Sequence, residues 1–313
     1  MAAVSGGPDS LALLVLAVEA GCRVTAVHVD HGLRPGSDRE PAVVREAARR
    51  YGAAFRGERV VVAPGPNLEA RARQARRSVL PPSFATGHTA DDQAETVLLN
   101  LLRGAGSDGL SGMRAGERHP LLGLRRWETA ALCEEEGLPA LRDPTNDDLS
   151  FLRNRVRHQV LPLLSSVAGR DLVPILARQA SLLADEVDLL EALAEQVDPA
   201  DAAAVAEAPA ALSRRAVRRW LRKAGGPGDR EGGAREGGDR ADRLPPPLAA
   251  VERVLSVARK EVLACEVPGG ARVRRSAGRL LLERPTGTAP SQPGHRSGAG
   301  LAAAERPASA DPG

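Results

Sequence analysis

Several things are scarce in this chain of 313 residues. Its three cysteines, Cys22, Cys133 and Cys265, are far apart and form no Cys-x-x-Cys pair. That usage argues for a reducing compartment and against a zinc or iron–sulfur site. Long apolar runs are missing too. The longest, Leu11 to Val18, falls well short of the ~20 residues of a membrane span, and it lacks the basic leader of a secretory signal. A soluble cytoplasmic protein with no membrane partner is expected. Lysine occurs only at Lys223 and Lys260, so arginine carries the basic side of a chain with net charge +3 and an isoelectric point near 9.1. Arginine is the better bidentate donor to phosphate, but charge alone does not identify a nucleic-acid partner. No internal repeat is visible.

What is present begins at residue 5. Ser5-Gly6-Gly7-Pro8-Asp9-Ser10 sits between Ala2-Ala3-Val4 and the apolar helical run Leu11 to Val18. A strand that ends in a glycine-rich turn and opens a helix makes an anion site, because converging amides and the helix N-terminus both favour negative charge. No Gly-Lys-Ser/Thr follows, so this is not the Walker pattern. The SGGxDS pattern resembles the pyrophosphate loop of ATP pyrophosphatases. The plainer reading is a strand-to-helix turn with Asp9 as its cap.

Up to about residue 90 the chain alternates strand and helix patterns. Strands are expected at Val24–Val29, Arg59–Ala63 and Ser83–Thr86, with helices at Pro41–Tyr51 and Asn67–Val79. Such alternation predicts an α/β fold, an open parallel sheet with helices on both faces. Helices follow at Ala90–Leu102, Thr129–Glu136, Asp171–Gln196, Leu212–Lys223 (capped by Ser213) and Leu248–Ala258. Ala264–Val267 and Arg279–Leu282 read as a small β element. The expected organisation is a catalytic domain over residues 1–165 and a smaller, mostly helical domain over 166–284. The latter is interrupted at 225–247, where Gly225 to Asp242 has no apolar residue to bury, and a disordered tail spans 285–313.

Three further clusters carry chemistry. His28-Val29-Asp30-His31-Gly32-Leu33-Arg34 lies where a strand ends, the edge at which open α/β sheets bind ligands. In Gly87-His88-Thr89-Ala90-Asp91-Asp92-Gln93-Ala94-Glu95, Asp91 and Glu95 are four apart on a helix and can share a cation; Asp92 and Glu95 serve as well. Thr89 and Asp92 also fit a capping box. Arg103, closing that helix, is read as a phosphate contact or a dipole complement. Arg142-Asp143-Pro144-Thr145-Asn146 leads into Arg153-Asn154-Arg155-Val156-Arg157, where Arg153 and Arg157 share a helical face suited to phosphates or a carboxylate. The alternative there is a domain junction tied by an Asp143–Arg ion pair. The basic run Arg214 to Lys223, including Arg218 and Arg222, reads as an RNA-backbone track or as a solvated face.

Taken in order, these motifs resemble the tRNA(Ile)-lysidine synthetase family within the PP-loop superfamily, over roughly residues 2 to 225 and weakly over 248 to 284. SGGPDS marks only the superfamily; HVDHGLR, ATGHTADDQAETVLLNLLRG, DPTNDDLSFLRNRVRHQVLPLL and the linker-like HPLLGLRRWE are more specific. The resemblance implies that ATP adenylates the wobble cytidine of a tRNA(Ile) with a CAU anticodon, that pyrophosphate leaves, and that free L-lysine displaces AMP. It implies phosphate binding by Ser5, Gly6, Gly7, Pro8, Asp9 and Ser10, with the adenosine near His28, Asp30, His31 and Gly87. Asp30, His88, Asp91, Asp92, Glu95 and Arg103 become catalytic candidates, with Mg²⁺ on Asp91 and Glu95. Asp143, Asn146, Arg153, Asn154, Arg157, Arg218 and Arg222 become substrate and tRNA candidates.

The chain departs from the family in its short lead before Ser5, its compressed segments at Arg71–Phe84 and Gly112–His119, and the interruption at 225–242. It looks like the short form of the family, with the oligomeric state open, a homodimer included. A thiolase-type PP-loop enzyme acting on tRNA and a tRNA-binding relative that has lost catalysis are the alternatives.

Overall fold

The computed structural model describes residues 1–30, 32, 40–60, 71, 75, 78–81, 83–141, 143–224 and 246–284. Four parallel strands form a sheet in the order β3-β2-β1-β4, with β1 at Ala2–Ala3, β2 at Thr25–Asp30, β3 at Ala54–Arg59 and β4 at Ala85–Thr86. β1 is only two residues long yet sits centrally. Ala2 pairs with Ala26 on one side and Ala85 on the other. Beyond its end, Val4 donates to the Val27 carbonyl and its own carbonyl lies 2.9 Å from His28 Nδ1. These contacts seat the loop that follows.

Helix α1 (Pro8–Glu19) returns over the sheet and buries Leu11, Leu13 and Leu14 against Val4, Ala26 and Val44, the last from α2 (Glu40–Arg50). Proline at the first helical position suits the missing donor there. α3 (Ala90–Leu102) matches its expected bounds, and α4 (Arg126–Glu135) starts three residues before its expected start. The observed β3 begins before the expected strand at 59–63 and shares Arg59 with it, pairing Thr25 with Ala54 through Asp30 with Arg59. β3 is an edge strand, so its polar alternation (Ala-Phe-Arg-Gly-Glu-Arg) lacks the apolar run of a strand covered on both faces. Residues 61–63 and most of the expected helix 67–79 lie outside the described residues.

α5 (Leu152–Ala168, with a wider π turn at Val156–Val160) meets α6 (Val173–Ala194) at a 96° bend. A third cluster, with Val156, Leu161 and Val173, packs α5 and α6 onto Ala94 and Leu98 of α3. Beyond it α7 (Ala202–Glu207), α8 (Ala210–Ala224) and α9 (Leu248–Ala258) share a separate core with an antiparallel sheet, β5 (Ala264–Val267), β6 (Ala271–Ser276) and β7 (Arg279–Glu283). β6 was not anticipated, because Ala-Arg-Val-Arg-Arg-Ser alternates with only two small apolar residues. Ser213 is not a cap; it is buried inside α8 and donates to the Val205 carbonyl at 2.9 Å. Among the described residues no single helix is long and apolar enough to cross a membrane.

Candidate active site

The loop after β1 is organised by one hydroxyl. Ser10 Oγ accepts from the Ser5 and Gly6 amides at 3.1 Å each and donates to the Gly7 carbonyl at 2.8 Å. Gly6 adopts φ +90°, and a Cβ there would stand 2.5 Å from Leu141 Cδ1. Gly7, not Asp9, is the N-cap of α1. Gly87, just after β4, presses on the start of α1: a Cβ would stand 2.7 Å from the Asp9 carbonyl carbon, and nearer still to its oxygen. Two loops thus converge at the C-terminal edge of the sheet, where ligands of open α/β folds bind.

Beside them lies a cluster of charges. Asp9 accepts from the Thr129 hydroxyl and pairs with Arg126 Nε at 3.6 Å. Burial pushes its carboxyl above the usual range, over the opposing pull of Thr129 and Arg126. Asp92 caps its own helix from the Thr89 amide at 2.9 Å and meets Arg126 at 2.9 Å and Arg153 at 3.4 Å. Burial would raise it, but Arg126, the Thr89 amide and Arg153 together hold it below the usual carboxylate range. Glu95, 0% exposed, receives Arg126 at 3.2 Å, Arg153 at 2.8 Å and Arg157 at 2.7 Å. Three carboxylates face three guanidinium groups within reach of the phosphate loop. Such charge-assisted, partly bidentate pairs hold geometry tightly.

Several expected residues gather here: Ser5–Ser10, Gly87, Asp92, Glu95, Arg153 and Arg157. Others stand elsewhere or act differently. Asp91 turns to the Arg125 guanidinium (3.1 Å) and the Arg126 backbone amide (2.8 Å), whereas Glu95 takes the guanidinium groups of Arg126, Arg153 and Arg157. A divalent cation between Asp91 and Glu95 would sit among four guanidinium groups, so that donor pair does not fit Mg²⁺. Among the described residues no three His, Cys, Asp or Glu side chains converge as a metal site. Arg103 is exposed at the C-cap of α3, twelve residues and roughly 18 Å of helix from Asp91. His28 is buried and tied to the Val4 carbonyl, so it braces the loop's strand instead of presenting itself to a nucleotide. Asp30 accepts from the Gly32 amide at 2.8 Å. His31, Leu33, Arg34 and Arg142 lie outside the described residues.

Asp143 caps the turn Pro144–Asp147 through the Thr145 amide, and Asn146 offers its carbonyl to His158. Asn154, buried, donates to the Thr145 and Asp148 carbonyls at 2.8 Å each. These three shape the loop that delivers Arg153. On α8, Arg215 is only 7% exposed and holds Asp108 at 2.6 Å and Glu191 at 2.8 Å. Arg218 leans on Asp108 at 3.5 Å. That face of the expected RNA track is an internal ionic seam; Arg222 is exposed.

Sequence reasoning missed Arg125, Arg126, Thr129 and His119, all in or just after the run His119–Glu128. A signal was available. Two arginines at a helix N-terminus oppose the helix dipole, and they are sustained there only by nearby acids, here Asp91, Asp92, Glu95 and Asp9. Gln93 was missed as well. Its amide pairs both ways with the Met113 backbone (2.8 and 2.9 Å) and anchors the loop before the His119 run to α3.

A family profile described as a PP-loop domain matches residues 1–164. The tRNA(Ile)-lysidine synthase of Nocardia farcinica is 44% identical over 247 residues, covering 73% of this chain and 78% of that one. The chain belongs to the tRNA(Ile)-lysidine synthase family. The Thermus thermophilus synthase is 38% identical over 333 residues, 97% of this chain and 61% of its own. A solved U34-tRNA thiolase, NcsA from Methanococcus maripaludis, is 18% identical with a TM-score of 0.45, over 58% of this chain and 70% of that one. As a member of this family the chain is an enzyme, a ligase, built on an ATP-binding PP-loop domain. The open parallel sheet followed by a smaller, mostly helical part is the architecture expected from its sequence.

Proposed function

We propose that this protein joins free L-lysine to carbon 2 of the wobble cytidine in a tRNA(Ile) bearing a CAU anticodon. ATP first adenylates the cytidine carbonyl oxygen, pyrophosphate leaves, and the lysine amine displaces AMP. The observation that carries this reading is the balanced cluster of Asp9, Asp92 and Glu95 with Arg126, Arg153 and Arg157 beside the phosphate loop. A reaction that brings a triphosphate, a polynucleotide and an ammonium group together needs cationic and anionic partners at one place. Here the phosphates take guanidinium partners and the lysine ammonium takes carboxylates. Ser5–Ser10 hold the phosphates that become pyrophosphate, and Arg126, Arg153 and Arg157 neutralise charge on the transferring group. Most of the rate comes from this positioning. Asp91 and Glu95 are engaged elsewhere, so any Mg²⁺ would come as part of the ATP substrate and not as a resident ion. Residues 1–165 carry the chemistry and 166–284 hold the tRNA, Arg222 among the contacts, in a cytoplasmic protein.

Pyrophosphate release from ATP, with an unmodified tRNA(Ile) transcript and with each small substrate omitted in turn, tests the reading. Release that depends on the tRNA, followed by lysine-dependent AMP formation, is expected. Turnover that needs a sulfur donor instead would point to thiolation.

A further inference from the structure

Glu95 has its acceptor capacity filled by arginine. An ionised carboxylate offers about four lone-pair positions. Glu95 Oε1 accepts from both terminal nitrogens of Arg126 at 3.2 Å each and from Arg157 Nε at 2.7 Å. Its Oε2 accepts from Arg153 Nε at 2.8 Å and from Arg157 Nη2 at 3.2 Å. Asp92 is similarly filled. Its Oδ2 accepts from the Thr89 amide at 2.9 Å and the Thr89 hydroxyl at 3.2 Å, and its Oδ1 from Arg126 at 2.9 Å and Arg153 at 3.4 Å. His88, whose Nδ1 lies 2.6 Å from the Thr86 hydroxyl that His119 shares at 2.8 Å, adds a further favourable interaction with the Asp92 charge. Asp9 is less filled, with Arg126 Nε at 3.6 Å, but burial disfavours its charged form.

The lysine reading asks these carboxylates to receive an ammonium group, which brings three donors of its own. That demand and the observed pairing exclude each other. Charge gives the same answer. Asp9, Asp92 and Glu95 balance Arg126, Arg153 and Arg157, so the free cluster exerts little net pull on a cationic amino acid. Lysine's own carboxylate could draw off one guanidinium and would leave the others on Glu95. A polyanion is better matched. The three arginine side chains keep 28%, 26% and 20% of their surface exposed, over a Glu95 that has none. An incoming phosphate chain therefore meets guanidinium groups first, and phosphate oxygens accept the same bidentate fork as a carboxylate. Arg126 already spans from Asp9 in the phosphate loop to Glu95. ATP brings more negative charge than a single Mg²⁺ cancels, so the loaded site attracts a cation.

We infer that Arg126, Arg153 and Arg157 close the lysine site in the free protein and open it by moving from Glu95 and Asp92 to the triphosphate, so that ATP binds before lysine. The order rests on the lysine reading above. Because the exchange couples two binding equilibria it is reciprocal: the factor by which ATP tightens lysine binding is the factor by which lysine tightens ATP binding.

Equilibrium dialysis of ¹⁴C-lysine against the full-length protein, with and without saturating α,β-methylene-ATP, tests the order; the methylene bridge prevents pyrophosphate release. The Kd for lysine should fall about tenfold with the analogue, within the roughly 5–150-fold span of coupled sites. Saturating lysine should lower the Kd for the analogue by the same factor. Adenosine, which has no phosphates, should leave the lysine Kd unchanged. Arg157→Met removes the Arg157 Nε and Nη2 donors from Glu95. It should tighten lysine binding in the absence of the analogue and shrink the coupling. If that variant does not fold, the wild-type comparison decides by itself. Equal lysine affinity with and without the analogue would overturn the order and leave the lysine reading standing. Adenosine as effective as the analogue would overturn the guanidinium exchange. No lysine binding even with the analogue and a tRNA(Ile) transcript both present would remove the lysine reading, and the order with it.

Discussion

Replacing Glu95 by Gln probes the charge cluster most sharply. The carboxylate has no solvent exposure and accepts from Arg126, Arg153 and Arg157, whose side chains are 20–28% exposed. Losing one partner of a buried ion pair costs about 3–5 kcal/mol. Asp92 still faces all three arginines, and their partial exposure screens the remainder, so about 2–3 kcal/mol is expected. For a unit of 150–250 residues that lowers Tm by about 5–10 °C. The substitution leaves two carboxylates against three guanidinium groups. Pyrophosphate should therefore raise the Tm of Glu95→Gln more than that of the wild type. Thermal unfolding of both proteins, with and without pyrophosphate, reads both effects. A Tm unchanged within about 1 °C, or equal stabilisation by pyrophosphate, would refute the idea that Glu95 holds the three arginines together.

Other outcomes follow from the same geometry. Gly87→Ala forces a Cβ onto the Asp9 carbonyl; it should cost about 1–3 kcal/mol and raise KM for ATP, measured by denaturation and steady-state kinetics. Asp9 binds its proton more tightly when folded than when unfolded. Its contribution thus favours the native state at low pH and is lost as pH rises through the elevated value. Asp9→Asn, neutral throughout, should be at least as stable as wild type at pH 7, with the difference shrinking below pH ~4, as urea titrations at several pH values would show. Arg215→Ala strips a partner from Asp108 and Glu191, both partly exposed, and should cost on the order of 1–2 kcal/mol. It should also raise KM for tRNA while leaving KM for ATP in place.

Much of this molecule is legible in the sequence, for identifiable reasons. The Ser5–Ser10 loop could be read because its chemistry is local: glycine conformations, a proline at the helix start and a serine hydroxyl that returns to its own loop. α3 could be placed to the residue because Thr89 and Asp92 make a reciprocal cap before an apolar stripe. The shared face of Arg153 and Arg157 follows from helical spacing alone. What could not be read depends on distant partners. Nothing in the spacing of Asp91 and Glu95 says that Arg125 claims one while Arg126, Arg153 and Arg157 claim the other. His28 looked like a ligand contact because its burial beside Val4 depends on how β1 and β2 pair. The arginines of α8 looked like a nucleic-acid track because Asp108 and Glu191, which pair with Arg215, are remote in sequence.

The most direct test of the central claim is the fate of lysine itself. Full-length protein is incubated with ATP, a tRNA(Ile) transcript with a CAU anticodon and ¹⁵N-labelled lysine, and the tRNA is digested to nucleosides for mass analysis. The account predicts one labelled lysine on the wobble cytidine, with none when ATP is omitted or when Ser10 is replaced by Ala. An unlabelled cytidine alongside ATP cleavage, or a wobble base altered by sulfur, would contradict it.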